Sequence, residues 1–272
     1  MQKRKDHPFF GESKNIPEVI AHRGGAGEWP SETIYAFEQS VAAGVDILEM
    51  DIRYTSDGVP VLMHNRNVLE TTGEDLNIDD LRSDGKLFKK ADAAAYWWKE
   101  AGKNFPSDAQ LHVPTLKEVF EKFRDKRMII EIKPLMLSMR LIETFGRLIR
   151  DFEMTEKVLV ASGSHMNLFK FRCKFPEVAT SASVAELAAF RALKGLGYRP
   201  DCNALQLASK AGPLHFITKK YIDKAHDLGF EVHGWTVNEP EEMGRLISLK
   251  VDGIMTDHPT TLLKLLGRSN DT

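Results

Sequence analysis

The sequence predicts an α/β chain closed into a (β/α)8 barrel (TIM barrel), and three observations carry that expectation. Short β-branched runs alternate with amphipathic helical patterns; eight strand-like runs are matched by eight helical segments; and the strand-like runs are too apolar for a sheet with one wet face. Eight such pairs close a parallel sheet on itself, and 272 residues suit an architecture that uses about 250 residues as one unit. An open, doubly wound sheet is the competing arrangement.

In chain order, the first strand covers residues 19–23, where Val19-Ile20-Ala21 runs into a glycine-rich turn, and a helix over 33–43 follows. The second strand covers 46–51, and Val45, Ile47 and Leu48 mark it as buried. Beyond it, the run from Ile52 to His64 holds two strand-like stretches separated by Asp57-Gly58, a strong hairpin signal. With Asp57 and Gly58 as a two-residue loop, Ser56 faces Val59 and Asp51 comes opposite His64. Periodicity is weak over 67–113, so this stretch is read as an insertion. Its Tyr96-Trp97-Trp98 run packs onto the barrel or forms a lid. The helix over 116–123 has Leu116, Val119, Phe120 and Phe123 on one stripe, while Lys117, Glu118 and Lys122 face water. The remaining strands are placed at 128–133, 157–162, 178–181, 204–208, 231–236 and 253–257. Their helices follow at 137–152, 165–173, 184–193, 218–228, 241–248 and 260–266. No boundary is needed, so residues 1–272 are read as one domain.

Composition narrows the function classes. With 37 Lys+Arg against 39 Asp+Glu, the net charge of -2 excludes a broadly cationic nucleic-acid surface. Cys173 and Cys202 form no CxxC pair, which excludes a disulfide framework or a cysteine zinc site and points to a reducing, cytoplasmic setting. The basic opening meets Asp6, Pro8, Gly11 and Glu12 before an apolar core can form, so no secretory signal is expected. Apolar runs stay far below the roughly 20 residues of a membrane span.

Barrel enzymes work at the carboxyl ends of their strands, and polar residues cluster there. Glu49 and Asp51 share one face of the second strand, as Glu131 and Lys133 share one face of the next barrel strand. If those faces line the lumen, three carboxylates converge and need a positive charge among them; hard oxygen ligands suit one divalent metal ion, Mg2+ or Ca2+. A mutual ion pair of Glu131 and Lys133 at a strand end is the rival reading of that pair. His22 precedes a glycine-rich turn, and with Arg23 it makes an anion-binding environment. The hairpin count puts His64 across from Asp51, so two imidazoles flank the cation. That arrangement suits phosphodiester cleavage, one histidine taking a proton and the other protonating the leaving alkoxide.

These residues resemble the glycerophosphodiester phosphodiesterase family. The likeness rests on His22-Arg23-Gly24, Pro30 to Thr33, Gly44-Val45-Asp46 leading to Glu49-Met50-Asp51, and Thr55-Ser56-Asp57-Gly58. It continues through His64, Pro114-Thr115-Leu116, Glu131-Ile132-Lys133, Trp235-Thr236-Val237-Asn238 and Gly253 to Pro259. The resemblance implies metal-dependent hydrolysis of small-molecule glycerophosphodiesters to glycerol 3-phosphate and an alcohol. It implies Glu49, Asp51 and Glu131 as metal ligands, His22 and His64 as the acid–base pair, Arg23 and Lys133 on phosphate or glycerol oxygens, and Trp235 lining the glycerol pocket. The Arg23-Gly-Gly-Ala-Gly-Glu28 and Val113 to Phe120 stretches look like the branch that cleaves lysophospholipids as a lysophospholipase D.

Three positions in two motifs depart from the family pattern. Pro30-Ser31-Glu32-Thr33 stands where the family usually reads Pro-Glu-Asn-Thr, and His64-Asn65 where it usually reads His-Asp. Ser31 is read as a helix N-cap and Glu32 as a first-turn acid. These departures motivate a rival, a catalytically silent barrel that binds phosphate esters. A cyclising lyase of related barrel type is a rival within enzymes.

Overall fold

The computed structural model describes residues 7–11, 17–193 and 197–268. Most of the basic opening and the residues after Arg268 lie outside the described residues. The strands are β1 (Glu18–Ala21), β2 (Ile47–Tyr54), β3 (Pro60–Leu62), β4 (Arg127–Ile132), β5 (Val158–Ala161), β6 (Ala179–Thr180), β7 (Ala204–Ala208), β8 (Lys210–Ala211), β9 (Leu214–His215), β10 (Glu231–Trp235) and β11 (Gly253–Thr256). Eight of them run parallel in the order β6-β5-β4-β2-β1-β11-β10-β7. A parallel bridge between Ser181 and Ala204 joins the two ends, closing the (β/α)8 barrel. The outer helices are α1 (Ile34–Ala43), α5 (Leu116–Lys122), α6 (Met139–Asp151), α7 (His165–Lys174), α8 (Val184–Ala192), α9 (Lys219–Asp227), α10 (Pro240–Ser248) and α11 (Pro259–Leu265). Between β3 and α5 lie the short α2 (Leu69–Thr72), α3 (Lys86–Lys90) and α4 (Ala95–Lys99). Among the described residues no helix is long and apolar enough to cross a membrane.

Alternation along β2 decides what faces where. Leu48, Met50, Ile52 and Tyr54 point outward into the core shared with Phe120, Ile142 and Phe145, which leaves Ile47, Glu49, Asp51 and Arg53 on the other face. Capping fixes where helices start: Thr115 with Glu118 and Ser183 with Glu186 form capping boxes at the mouths of α5 and α8. Low in the barrel, Ile20, Ile47, Ile129, Leu159, Ala179, Ala204 and Met255 form an apolar cluster, with the buried His233 beside Ile20. Phe9 and Phe10, fully buried in a short turn before β1, pack against it from beneath. Arg127 Nη1 donates to the Phe9 carbonyl (3.1 Å) while its Nη2 pairs with Glu18 (2.6 Å), which ties this plug to the barrel floor. Two phenylalanines are too short a run to show a period.

The hairpin register differs from the two-residue-loop reading. Ile52 pairs with Leu62, Arg53 with Val61 and Tyr54 with Pro60, so Asp51 comes level with Met63 and not with His64. The loop holds three residues: Thr55 N donates to the Val59 carbonyl and Gly58 N to the Thr55 carbonyl. Gly58 has φ +83, the left-handed residue that a three-residue hairpin loop needs. An Asp-Gly pair signals both loop lengths, and the shift is one residue.

The insertion is more ordered than its weak periodicity suggests. Val68, Ile78, Phe88 and Val113 pack with Val61 and Met63 of the hairpin into a small core of their own. Trp98 stacks edge-on against Phe105, which meets Tyr35 of α1, so this part of the aromatic run docks the insertion onto the barrel. The β8–β9 hairpin, closed through Gly212-Pro213 just beyond β7, has no counterpart among the predicted elements; its strands are two residues each.

Candidate active site

Strand register brings the acids together. Asp51 pairs with Glu131 across β2 and β4, and Glu49 lies two residues before Asp51 on the same face. One oxygen from each of Glu49, Asp51 and Glu131 lies within 4.8 Å of the others. Glu49 and Asp51 are buried and Glu131 half-buried. Burial, and then the charge of Asp51, pushes the Glu49 carboxyl up to about 7. Burial raises Glu131 too, against the pull of Lys133.

Lys133 follows β4 directly, with Nζ 3.1 Å from Glu131 and 3.2 Å from Asp51 Oδ1. Arg23 Nε lies 3.0 Å from Asp51 Oδ2. The rival ion-pair reading of Glu131 and Lys133 therefore describes a real contact, and Lys133 bridges two acids. Neither cation approaches Asp51 along a hydrogen-bonding direction, so both Asp51 oxygens are buried without a hydrogen bond. Orphaned acceptors of this kind, in an all-carboxylate donor set, fit a hard divalent cation.

β1 ends at Ala21, level with Leu48, which carries His22 to the height of Glu49; His22 Nε2 is 4.0 Å from the Glu49 carboxylate. The other ring nitrogen, Nδ1, is 2.6 Å from Asp257 Oδ1. Asp257 is itself held by Asn238, whose Nδ2 donates to Asp257 Oδ2 (2.7 Å) and whose Oδ1 accepts from the Asp257 amide (3.0 Å). Burial works to lower the His22 pKa, but Glu49 and the Asp257 hydrogen bond outweigh it and the net shift is upward. After His22 the chain turns sharply: Arg23 has φ +50, Gly24 φ +77 and Gly25 φ +86, and the Arg23 amide donates to Glu49 (2.9 Å). A Cβ at Gly25 would sit 2.8 Å from the Trp29 ring, so this turn requires glycine there.

His64 stands just beyond β3, where the chain has left the ladder, and despite the shifted register it lines the same cavity as His22. Its Nδ1 is 2.7 Å from Asn65 Oδ1, and burial, then Arg23, lowers its pKa. The cavity is about 250 Å3. Its lining combines the titratable His22, Arg23, Glu49, His64, Glu131 and Lys133 with uncharged groups including Ser162, Ala182, Gln206 and Trp235. Trp235 closes β10 and remains 43% exposed.

The sequence alone gives no role to Asp257 or Asn238, which orient His22. An acid and an amide just beyond the last two barrel strands were the available signals. The helix over 33–43 is found as α1, but its cap differs from the sequence reading. Thr33, not Ser31, is the N-cap, accepting from the Ala36 amide, and Glu32 lies before the helix with φ +62. Its buried carboxylate accepts from the Asp51 amide (3.0 Å), and burial with the charges of Asp51 and Glu49 raises its pKa well above the usual carboxylate range. A left-handed glutamate costs about 1–3 kcal/mol, and asparagine tolerates that conformation better. Glu32→Asn, which restores the residue more usual in the pattern, is expected to raise Tm by about 2–4 °C. A lower Tm in calorimetry would show that the bond to Asp51 outweighs the backbone cost.

Three clustered acids, an arginine, a lysine and two imidazoles, groups of the kind phosphodiester cleavage uses, share one barrel mouth. The fold and site thus define a barrel phosphodiesterase. The chain matches the model of the glycerophosphoryl diester phosphodiesterase family over residues 22–261, and it belongs to that family. It is 31% identical over 258 residues to a glycerophosphodiester phosphodiesterase of Caldanaerobacter subterraneus subsp. tengcongensis, covering 91% of this chain and 97% of that protein. It is 26% identical to the mouse lysophospholipase D GDPD3, covering 93% of this chain and 83% of that one. Among solved structures, an Oleispira antarctica phosphodiesterase in complex with the product sn-glycerol-3-phosphate aligns with a TM-score of 0.73 at 23% identity, over 93% and 97% of the two chains. The chain is an enzyme that hydrolyses glycerophosphodiesters.

Proposed function

We propose that the enzyme releases glycerol 3-phosphate and an alcohol in a reaction that depends on one divalent cation, Mg2+ or Ca2+, held by Glu49, Asp51 and Glu131. The observation that carries this reading is the pair of buried Asp51 oxygens without a hydrogen bond, set among acids that repel one another. A cation there offsets negative charge on the phosphate oxygens. Arg23 and Lys133 turn from Asp51 toward the phosphodiester and fix its orientation. Trp235 forms the wall against which the glycerol carbons pack.

The two imidazoles take opposite roles because their partners differ. A carboxylate on Nδ1 favours the charged form of His22, so its Nε2–H is the proton donor to the leaving alkoxide oxygen. His64 is held neutral by burial beside Arg23, and its Nε2 takes the proton of the attacking hydroxyl, from water or from the glycerol itself. The P–O bond to the alcohol breaks as the new one forms. A transient cyclic phosphate, which water then opens to glycerol 3-phosphate in a second displacement, identifies the glycerol hydroxyl as nucleophile.

The test is glycerol 3-phosphate release from glycerophosphoethanolamine after EDTA treatment, followed by return of Mg2+, Ca2+ or Mn2+. Turnover is expected to vanish with EDTA and to return with at least one ion; full turnover in EDTA defeats the carboxylate reading. The second reading, cleavage of lysophospholipids, draws support from exposed apolar side chains at the mouth: Leu135 and Met136 after Lys133, Val184 at the start of α8, Leu214 and Trp235. Comparing lysophosphatidylcholine with glycerophosphocholine at equal enzyme decides between them. A cytoplasmic setting is supported by Cys173 and Cys202 forming no disulfide with each other.

A further inference from the structure

We propose that Glu70, in the insertion, is a positioning residue that fixes which ring nitrogen of His64 is free to take a proton. The inference rests on the acid–base role given to His64 above. An asparagine presents an oxygen and an amide nitrogen of nearly the same size, so Asn65 alone can face His64 in either of two orientations. With Oδ1 toward the ring, His64 carries its proton on Nδ1 and keeps Nε2 unprotonated. With Nδ2 toward the ring, Nδ1 must accept, the proton moves to Nε2, and the base is lost.

Glu70 removes that choice. Its Oε2 lies 2.7 Å from Asn65 Nδ2, while Asn65 Oδ1 lies 2.7 Å from His64 Nδ1. A carboxylate only accepts, so the Asn65 atom facing Glu70 must be the N–H donor and the atom facing His64 must be the oxygen. Turning the amide over would set a carbonyl oxygen against the carboxylate and an N–H against the ring N–H. An aspartate at position 65, the residue usual in the family pattern, presents only acceptors and needs no such partner. Glu70 sits at the start of α2, so the insertion reaches into the proton chemistry through one hydrogen bond.

A double-mutant cycle tests this: the unmodified enzyme, Glu70→Ala, Asn65→Asp and the double variant, each assayed for kcat, KM and pH profile with glycerophosphoethanolamine. Glu70→Ala is expected to lower kcat about 10-fold with KM nearly unchanged. In the Asn65→Asp background the same Glu70→Ala change is expected to alter kcat by less than about twofold, because a carboxylate at position 65 orients His64 unaided. An equal loss in both backgrounds, as packing of the insertion would give, overturns the proposal; so does no loss in either. His64→Ala is run beside them. If it retains full turnover, the role of His64 falls and Glu70 falls with it. If it is inactive while Glu70→Ala costs the same in both backgrounds, only the Glu70 assignment fails.

Discussion

Glu49→Gln is expected to lower turnover on the order of 10^3-fold while making the metal-free protein more resistant to alkaline pH. The two effects have one origin. Glu49 titrates at about 7 in the fold, raised by burial and by Asp51, so folding favours its protonated form. For an acid with a raised folded pKa, the stability it contributes is full below the unfolded value and is lost as pH rises through the folded one. The metal-free enzyme should therefore lose melting temperature between about pH 4.5 and 7 from this group, and Glu49→Gln should flatten that decline. A divalent cation reverses the sign, because it binds the ionised cluster: at 100 times Kd it adds about 2.7 kcal/mol, or roughly 5–10 °C at this chain length. Calorimetry of both proteins across pH, with EDTA and with Mg2+ or Ca2+, reads all of this. A cation shift of equal size in Glu49→Gln would remove Glu49 from the ligand set.

The second large effect concerns His22. A proton donor must be charged and a proton acceptor neutral, so turnover should fall below the His64 pKa and above that of His22. Burial beside Arg23 moves the first limb below the usual histidine range, and Glu49 with Asp257 moves the second above it. His22→Ala is expected to cost on the order of 10^3-fold and to erase the alkaline limb, leaving the acid limb in place. Asp257→Asn keeps the shape but removes the charge at Nδ1; about 10^2-fold loss is expected, with the alkaline limb drawn to lower pH. A cation in the cluster neutralises part of Glu49, so saturating metal should draw the same limb down in the unmodified enzyme. An unchanged profile in Asp257→Asn would detach Asp257 from the acid.

Much of this site was legible because it contradicts its surroundings. Acids at 49, 51 and 131 interrupt otherwise apolar strands, and a period of two puts them on one side without knowledge of register. Register is where the sequence is ambiguous. Asp57-Gly58 suits a loop of two residues or three, and one residue displaces every partner along the ladder. His64 reaches the cavity all the same, because β3 ends at Leu62 and the side chain two residues on is no longer bound by the alternation. The place of Glu32 was hidden for a different reason: nothing about glutamate announces a positive φ, so an acid ahead of a helix was read as part of its first turn. Asp257 and Asn238 lie far from His22 along the chain, and only closure of the barrel between β1 and β11 makes them neighbours.

The phenylalanine plug has a kinetic corollary. With Phe9 and Phe10 seated beneath a largely aliphatic storey, the described residues close the barrel floor, and traffic to the acids passes through the mouth. Incoming diester and outgoing glycerol 3-phosphate must take turns in it, so accumulated product should act as a purely competitive inhibitor. Opening the basement with smaller side chains would flood the lumen before it offered a second route.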